Sequence, residues 1–569
     1  MSASTRCLLP GLLASLALAP AGRAGESLAH VGDLTLGPLV GGVPLRLELR
    51  TTLPARPFAL FYGVDGTPSP LGQLAPLGVN LAAPHVLFLG FTDATGRFAV
   101  SLPTAPGAFG PAGTGAVVFF QALVLDGFGG KRAGNVTAVE LEPLPPPPGF
   151  LPDDAAARLP AGFDTLGGQA VEAADLTRDG FPVLVIATDL LVAVWVNDGT
   201  GHFADESWRL PHPGDALGSL RAGDIDGDGD ADVVTGGGYD ALTSPANRLW
   251  INDGGGLFAA DTTFPAGEGL AAAIELADLD GSGLPEVIFA NGAEAHLPVP
   301  GGQLEVLINL PGIGMLPDLF VAGAAWNATD LNATGVRAGD MDSDGDLDLY
   351  VCRQDLSAVD GVPGQPNVLL MNDGLGGLSD VSAARLGGLQ SDNSQDARFV
   401  DLDGDFDLDL VVANSVLGIP AASSNDVLIN LGGLQGGSEG FFADDPASFL
   451  EASLPGDGIR LSVHAEDVDA DGDADILVTT HDLFAGADQM LFLNQGGAQG
   501  GAEGVLVRAS WFDPPFSGLG GLGDFICFGA VVFDADHDGD RDLVLCGAGV
   551  VTADPQDQFT TRFLLNGKL

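Results

Sequence analysis

An aspartate-rich loop recurs seven times, beginning at Asp175, Asp224, Asp278, Asp340, Asp401, Asp467 and Asp534, at spacings of 49, 54, 62, 61, 66 and 67 residues. Repetition at such a period means that each unit is one supersecondary element that cannot bury its hydrophobic face alone, so the units must stack on one another. A second marker accompanies each loop: an aliphatic strand ending in Asn before a turn, as in WVNDGTG, WINDGGG, LINLPG, LMNDGLGG, LINLGG, FLNQGG and, near the C-terminus, LLNG. Each unit therefore reads strand, acidic loop, strand, connection, strand, turn, strand. Four short antiparallel strands per repeat describe a propeller blade, and seven such units predict a seven-bladed β-propeller over residues 149–569.

The ends of the repeat region support a closed ring. The chain stops at LLNGKL, without the segment that comes after the Asn turn in other units, and a segment of that kind stands at the other end. GFLPDDAAARLP (149–160) parallels GHFADESWRLP (201–211) and GFFADDPASFLEASLP (440–455). A strand near Phe150 is thus expected to complete the last blade and remove both exposed edges.

The fullest loop is DIDGDGDADVV, with carboxylates at Asp224, Asp226, Asp228, Asp230 and Asp232. Four others match it: Asp340, Asp342, Asp344, Asp346 and Asp348; Asp401, Asp403, Asp405, Asp407 and Asp409; Asp467, Asp469, Asp471, Asp473 and Asp475; and Asp534, Asp536, Asp538, Asp540 and Asp542. Side chains at loop positions 1, 3, 5 and 9, with a backbone carbonyl at position 7, surround one hard cation with oxygen. The position-7 acids Asp230, Asp346, Asp407, Asp473 and Asp540 are expected to bind through their carbonyls, with side chains toward solvent. Many oxygen ligands on a flexible loop favour calcium over magnesium, which prefers a tight octahedron, and zinc would want His or Cys. The loop with Asp278, Asp280, Ser282 and Glu286 is incomplete. In the loop at Asp175, Thr177 and Val183 replace acids at positions 3 and 9 and Arg178 adds a positive charge, so little calcium is expected there. The seven loops thus predict about five strong calcium sites and one or two weak ones. Phe406 stands where the other full loops have Gly at position 6, a departure that strains the turn without removing a ligand. A helical calcium hand is excluded because position 12 is Ile186, Thr235, Phe289, Val351, Val412, Val478 or Leu545, none able to bind, and the segment after each loop is β-rich.

These motifs resemble the FG-GAP and VCBS repeat family, whose best-known members form the integrin α-subunit propeller; the resemblance covers about residues 149–569. It implies calcium loops on one face that rigidify the ring, with ligands met on the opposite face or at the channel. The connections expected on that opposite face include Tyr239 and Asp240, Glu294 and His296, Arg353 and Asp355, and His481 and Asp482.

The remaining sequence sets the context. A formal net charge of −54, with Lys only at Lys131 and Lys568, argues against nucleic-acid binding. Residues 1–24 read as an export signal, with Arg6, an apolar run from Leu8 to Ala19 and small residues at Ala19, Ala21 and Ala24. Residues 25–143 alternate short apolar runs with Gly- and Pro-rich turns, which reads as a small β-sandwich, and 144–148 form a Pro-rich linker. No segment has the length of an apolar membrane span. The product is thus expected to be secreted or held at the cell surface by partners. Cys352, Cys527 and Cys546, left once Cys7 departs with the signal, are expected to be buried thiols, with a Cys527 to Cys546 bridge as the alternative. The eight His residues show no metalloprotease spacing. GGSEG (436–440) matches a nucleophile-elbow string but has no helix after it. Sequons begin at Asn135, Asn327 and Asn332. The sequence thus favours a non-catalytic binding or adhesion module for an extracellular glycan or protein, with a lyase-like polysaccharide enzyme as the alternative.

Overall fold

A computed structural model describes residues 32–36, 39–40, 45–51, 57–63, 85–91, 97–102, 117–125 and 131–142, then 155–161, 167–188, 191–238, 246–265, 270–292, 304–310, 314–317, 333–354, 366–386, 394–414, 425–444, 459–469, 471–481, 489–496, 504–509, 525–539, 541–549 and 562–564. The signal segment, the Pro-rich linker and the strand expected near Phe150 lie outside these residues, as do Tyr239, Asp240, Glu294, His296, Asp355, Asp482 and Asp540. The chain divides into two compact units at about Pro145 and Pro146.

In the N-terminal unit, Gly32–Leu36, Leu45–Thr51 and Arg97–Leu102 form one sheet in that order. Leu39–Val40, Lys131–Glu142, Val117–Leu125, Pro57–Gly63 and His85–Phe91 form another. All pairs are antiparallel except Leu39–Val40 with Lys131–Glu142.

The second unit is a seven-bladed propeller. Blades 1 to 6 (168–205, 217–260, 270–317, 333–380, 394–444 and 459–508) are four-stranded sheets whose strands follow one another in chain order, and blade 7 (525–564) has three described strands. In blade 2 these are Leu217–Gly223, Asp232–Gly237, Arg248–Asn252 and Phe258–Ala260. The acidic loop joins the first strand to the second, as the repeat predicts. Second strands such as Val183–Thr188 and Asp409–Asn414 are buried throughout, which is why they read as continuous β-branched and aliphatic runs rather than alternating ones.

The innermost strand of every blade lies against those of its two neighbours, and Phe525–Phe533 of blade 7 lies against Gly168–Ala174 of blade 1, so the ring is closed. Apolar side chains fill each seam separately. Leu184, Trp195 and Phe203 of blade 1 share one core with Phe533, Val544 and Phe563 of blade 7. Val185 and Val194 share another with Val233 and Trp250 of blade 2, and the pattern continues around the ring.

The short helix Ala155–Arg158 packs on the last strand, Arg562–Leu564. Leu159 after it is buried among Phe203, Phe533 and Phe563. Equivalent turns, Ser207–Arg209 followed by Leu210 and Ser382–Arg385 followed by Leu386, come after the outer strands of blades 1 and 4, and all three leucines are buried.

Cys352, Cys527 and Cys546 are buried free thiols. Burial pushes the Cys546 thiol up to about 12. Cys527 pairs with Gly547 while Cys546 pairs with Gly529, which puts the two side chains on opposite faces of the sheet, one toward blade 6 and the other toward blade 1. A Cys527 to Cys546 bridge is therefore ruled out by strand alternation.

Candidate metal loops and central channel

Outside blade 1, where Val183 holds position 9, the acidic loops are folded by their own first and last acids. Asp340 accepts amides from positions 5 and 6, Asp344 N at 3.0 Å and Gly345 N at 3.2 Å, as Asp467 does from Asp471 N and Gly472 N at 2.9 and 3.0 Å, whereas Asp224 accepts from positions 4 and 6, Gly227 N and Gly229 N. The position-9 acid reaches both ways. Asp348 accepts Met341 N of its loop at 3.0 Å and Asn372 N of the third strand at 2.8 Å, and Asp232, Glu286, Asp409 and Asp475 repeat the arrangement. The chain takes a left-handed turn at position 4 as well as position 6. Arg178, Ser343 and His537 hold φ of 59°, 57° and 59° at position 4, and Phe406 holds 70° at position 6.

Carboxylate oxygens from Asp224, Asp226 and Asp232 lie within 4.8 Å of one another, as do those of Asp340, Asp342 and Asp344, of Asp401, Asp403 and Asp405, and of Asp467, Asp469 and Asp475. The loop expected to be weaker gathers Asp278, Asp280 and Glu286 just as closely. Its Ser282 hydroxyl is turned to the backbone of Leu284. Burial, reinforced by neighbouring acids, lifts Asp232 to about 6, Asp348 to about 7 and Asp467 to about 6, so these carboxyls call for a proton or a cation.

A cation fits. Oδ1 of Asp342, Asp534 and Asp536 is buried without a hydrogen-bond partner among the described residues, and the donor set is oxygen throughout.

Of the four described position-7 acids, Asp346 is half-buried and the other three do not face solvent. Asp230, Asp407 and Asp473 are only 4%, 1% and 2% exposed. Asp230 and Asp407 each point under the glycine turn of their own blade, where a Cβ added at Gly254 would come within 3.0 Å of Asp230 Oδ2 and one at Gly432 within 2.6 Å of Asp407 Oδ2. The turn glycines leave room for these carboxylates. In blade 1, where position 7 is Phe181, the ring occupies the same place beneath Gly199.

Sequence reasoning saw the strand-end asparagines only as markers. They are staples between blades. Asn372 Nδ2 donates to Leu279 O of the preceding blade at 2.7 Å and to Leu347 O of its own at 3.0 Å, while its Oδ1 accepts Gly374 N and Gly376 N. Asn252, Asn309, Asn430 and Asn494 also reach back to position 2 of the previous loop, and Asn197 reaches Ala535 O across the 7–1 seam at 2.8 Å.

The other polar concentration lines the central channel, a cavity of about 480 Å³. Three residues before each loop, the chain places Glu172, Arg221, Glu275, Arg337, Arg398, His464 and Val531. The first five, with Asp396, form a chain of ion pairs: Glu172 to Arg221, Arg221 to Glu275 at 3.8 Å, Glu275 to Arg337 at 3.4 Å, Arg337 to Asp396 at 2.5 Å and Asp396 to Arg398 at 3.2 Å. Burial, with Arg398 alongside, holds His464 down to about 3, so it stays neutral, its Nε2 3.1 Å from Ser462 Oγ. The signal for this ring was a fixed offset within the repeat, legible only once the inner strand is known to face the channel. Arg353 and His481 do not join it. They end second strands of blades 4 and 6, with blade 5 between them.

A family model described as FG-GAP-like repeat matches residues 175–235, the first two loops. No curated protein matches the sequence. Among solved structures, the chain is similar to cobalt-substituted ACO from Synechocystis at 10% identity over 84% of this chain and 92% of that one, with a TM-score of 0.31.

Proposed function

From the premise that this chain is a seven-bladed propeller of FG-GAP/VCBS repeats, we propose that it is an exported, calcium-stiffened, non-catalytic module that binds an extracellular glycan or protein. The carrying observation is the set of buried carboxylate oxygens, at Asp342, Asp534 and Asp536, that have no hydrogen-bond partner among the described residues and lie in loops made only of oxygen donors. The side chains at positions 1, 3, 5 and 9 and the position-7 carbonyl would hold the ion, which supplies positive charge where the loop crowds four or five acids. The loops of the Asp224, Asp340, Asp401, Asp467 and Asp534 repeats are the full sites. The close gathering of Asp278, Asp280 and Glu286 favours a sixth, while the Asp175 loop stays empty. Loop residues engaged with an ion and their own turns leave recognition to the opposite face. The two N-terminal sheets, as a sandwich, would space or present the ring. Export rests on the charged and apolar N-terminus of the sequence, and no helix among the described residues is long and apolar enough to cross a membrane.

A glycan and protein-binding screen with and without chelator tests the reading. Binding that disappears on chelation and returns with calcium is expected, and a calcium titration that detects no uptake would remove its foundation. The enzymatic alternative draws on one observation, the convergence of Arg337, Arg398 and neutral His464 on one cavity, because a lyase needs a base beside charge-neutralising arginine. Unsaturated products from acidic polysaccharides would select it.

A further inference from the structure

Three short turns end in Arg-Leu, at Arg158, Arg209 and Arg385, the last two directly after the outer strands of blades 1 and 4. Arg385 Nη2 lies 3.3 Å from Oδ2 of Asp342, the position-3 acid of its own blade's loop. Its Nη1 donates to Glu439 O of blade 5 at 3.2 Å, and its guanidinium covers the Phe441 ring at 4.9 Å. Arg158 repeats the carboxylate and carbonyl contacts at the 7–1 seam, with its aromatic partner in blade 7 itself. It lies 3.5 Å from Asp536 Oδ2, donates to Thr200 O of blade 1 at 2.9 Å and sits over Phe563 at 6.0 Å. In both acids the other oxygen, Oδ1, is buried without a hydrogen-bond partner among the described residues.

Blade 1 supplies an internal control, because Thr177 replaces the position-3 acid of its loop. There Arg209 keeps the carbonyl of the next blade, Gly255 O at 2.8 Å, but turns its Nε to Glu206 of its own turn at 2.5 Å. The carbonyl contact is thus common to all three arginines, whereas the carboxylate contact goes with the acid.

Building on the cation reading of the loops, we propose that Arg158 and Arg385 are positioning residues for the Asp534 and Asp340 loops. Each holds one oxygen of the position-3 carboxylate so that the other faces the cation, and each ties that carboxylate to the adjoining blade. Cation uptake in these two loops then tightens the 7–1 and 4–5 seams, the first of which closes the ring. A planar guanidinium suits the role because its separate N–H groups address a carboxylate and a carbonyl together, which an ammonium on a flexible stem does poorly.

Two physical effects oppose each other. A fixed positive charge near the loop repels a divalent cation, while an oriented ligand binds it better; loss of such an outer partner typically lowers metal affinity about 10- to 100-fold. The test is calcium titration of the full chain carrying Arg385→Met, Arg385→Lys, Arg158→Met or Arg209→Met, with hydrogen exchange of the segment around Glu439 followed with and without calcium. Positioning predicts unchanged stoichiometry, one site weakened about tenfold or more in Arg385→Met, weakening in Arg385→Lys as well, and no change in Arg209→Met. It also predicts that calcium-induced protection near Glu439 is lost in both Arg385 variants. Tighter binding in Arg385→Met with wild-type binding in Arg385→Lys would show that only charge matters and overturn the proposal. Equal loss of protection with and without calcium, at unchanged affinities, would reduce the arginine to a structural tie and overturn it too. A wild-type chain that takes up no calcium defeats the cation reading itself, and this inference with it; wild-type binding with unaltered variants defeats the inference alone.

Discussion

Stripped of divalent cations on a chelating resin, the propeller should be more stable at about pH 5 than at about pH 8, the reverse of ordinary acid denaturation. The cause is that burial lifts Asp232 to about 6 and Asp348 to about 7 from an ordinary 3.8. The native state therefore binds protons more tightly than the unfolded chain. The stabilisation is complete below the unfolded value and is lost as pH rises through the folded one. At roughly 1.4 kcal/mol per pH unit between about pH 5 and each folded value, ionisation costs the metal-free fold on the order of 1 kcal/mol at Asp232 and 3 kcal/mol at Asp348 over this interval. Against a total stability of about 5–15 kcal/mol that is a large fraction, so melting should fall by roughly 5–10 °C across the interval. Saturating calcium should flatten the dependence, because an ion holds the same carboxylates ionised at both pH values. Relief of the general repulsion within a chain of net charge −54 works in the same direction. Asp232→Asn combined with Asp348→Asn separates the two effects: it removes two titrating groups from the buried sites and should roughly halve or better the metal-free slope. Calorimetric melts that coincide at the two pH values without metal, or a slope unmoved by the double substitution, would refute the reasoning.

Three further expectations concern the scaffold. Asn372→Ala strands Leu279 O and Leu347 O, so chemical denaturation should register a loss of about 2–4 kcal/mol, and a loss under about 1 kcal/mol would show that water replaces the side chain without cost. Leu159→Ala opens a cavity among Phe203, Phe533 and Phe563 and should cost about 2–4 kcal/mol; removing residues 149–160 should lower the melting temperature of the whole ring, and an unchanged melt would disprove closure by that segment. The three buried thiols should resist a thiol reagent in the native protein and react on unfolding, and an intact-mass shift for a Cys527 to Cys546 disulfide would contradict the opposite-face geometry.

The blade count and the loops are legible in the sequence because they repeat: an error in reading one unit is corrected by six others. What the sequence conceals lies in contacts that cross the repeat. The position-7 side chain points to solvent on a reading of the loop alone, because the loop gives it nothing to touch. Its neighbour, Gly254 for Asp230, stands a whole hairpin later. The strand-end Asn marks each unit, yet its partner carbonyl belongs to the blade before, 93 residues away for Asn372 and Leu279. The channel charges sit at one fixed offset, but their meaning depends on neighbours in other blades, which local patterning does not encode.

Blade 1 shows how far scaffold and cation can be separated. Its loop keeps the turn, with Asp175 accepting Asp179 N at 3.2 Å and Gly180 N at 2.9 Å, although three acids of the full pattern are gone. In their place, Val183 is buried at position 9, Phe181 fills the space beneath Gly199, and Arg178 reaches over to Asp228 and Asp230 of the next loop at 3.5 and 3.4 Å. Leu176 O still accepts Asn252 Nδ2 at 2.9 Å, so the seam survives without the acid that brackets it elsewhere. The repeat thus has two ways to complete a loop, apolar filling with a tethered guanidinium or an oxygen cage that needs a bound charge. Only the second makes stability depend on the surroundings. If the full loops take up calcium as proposed, a ring in which blade 1 uses the first and the full loops use the second would be held together at any calcium level across the 1–2 seam and would stiffen with calcium elsewhere.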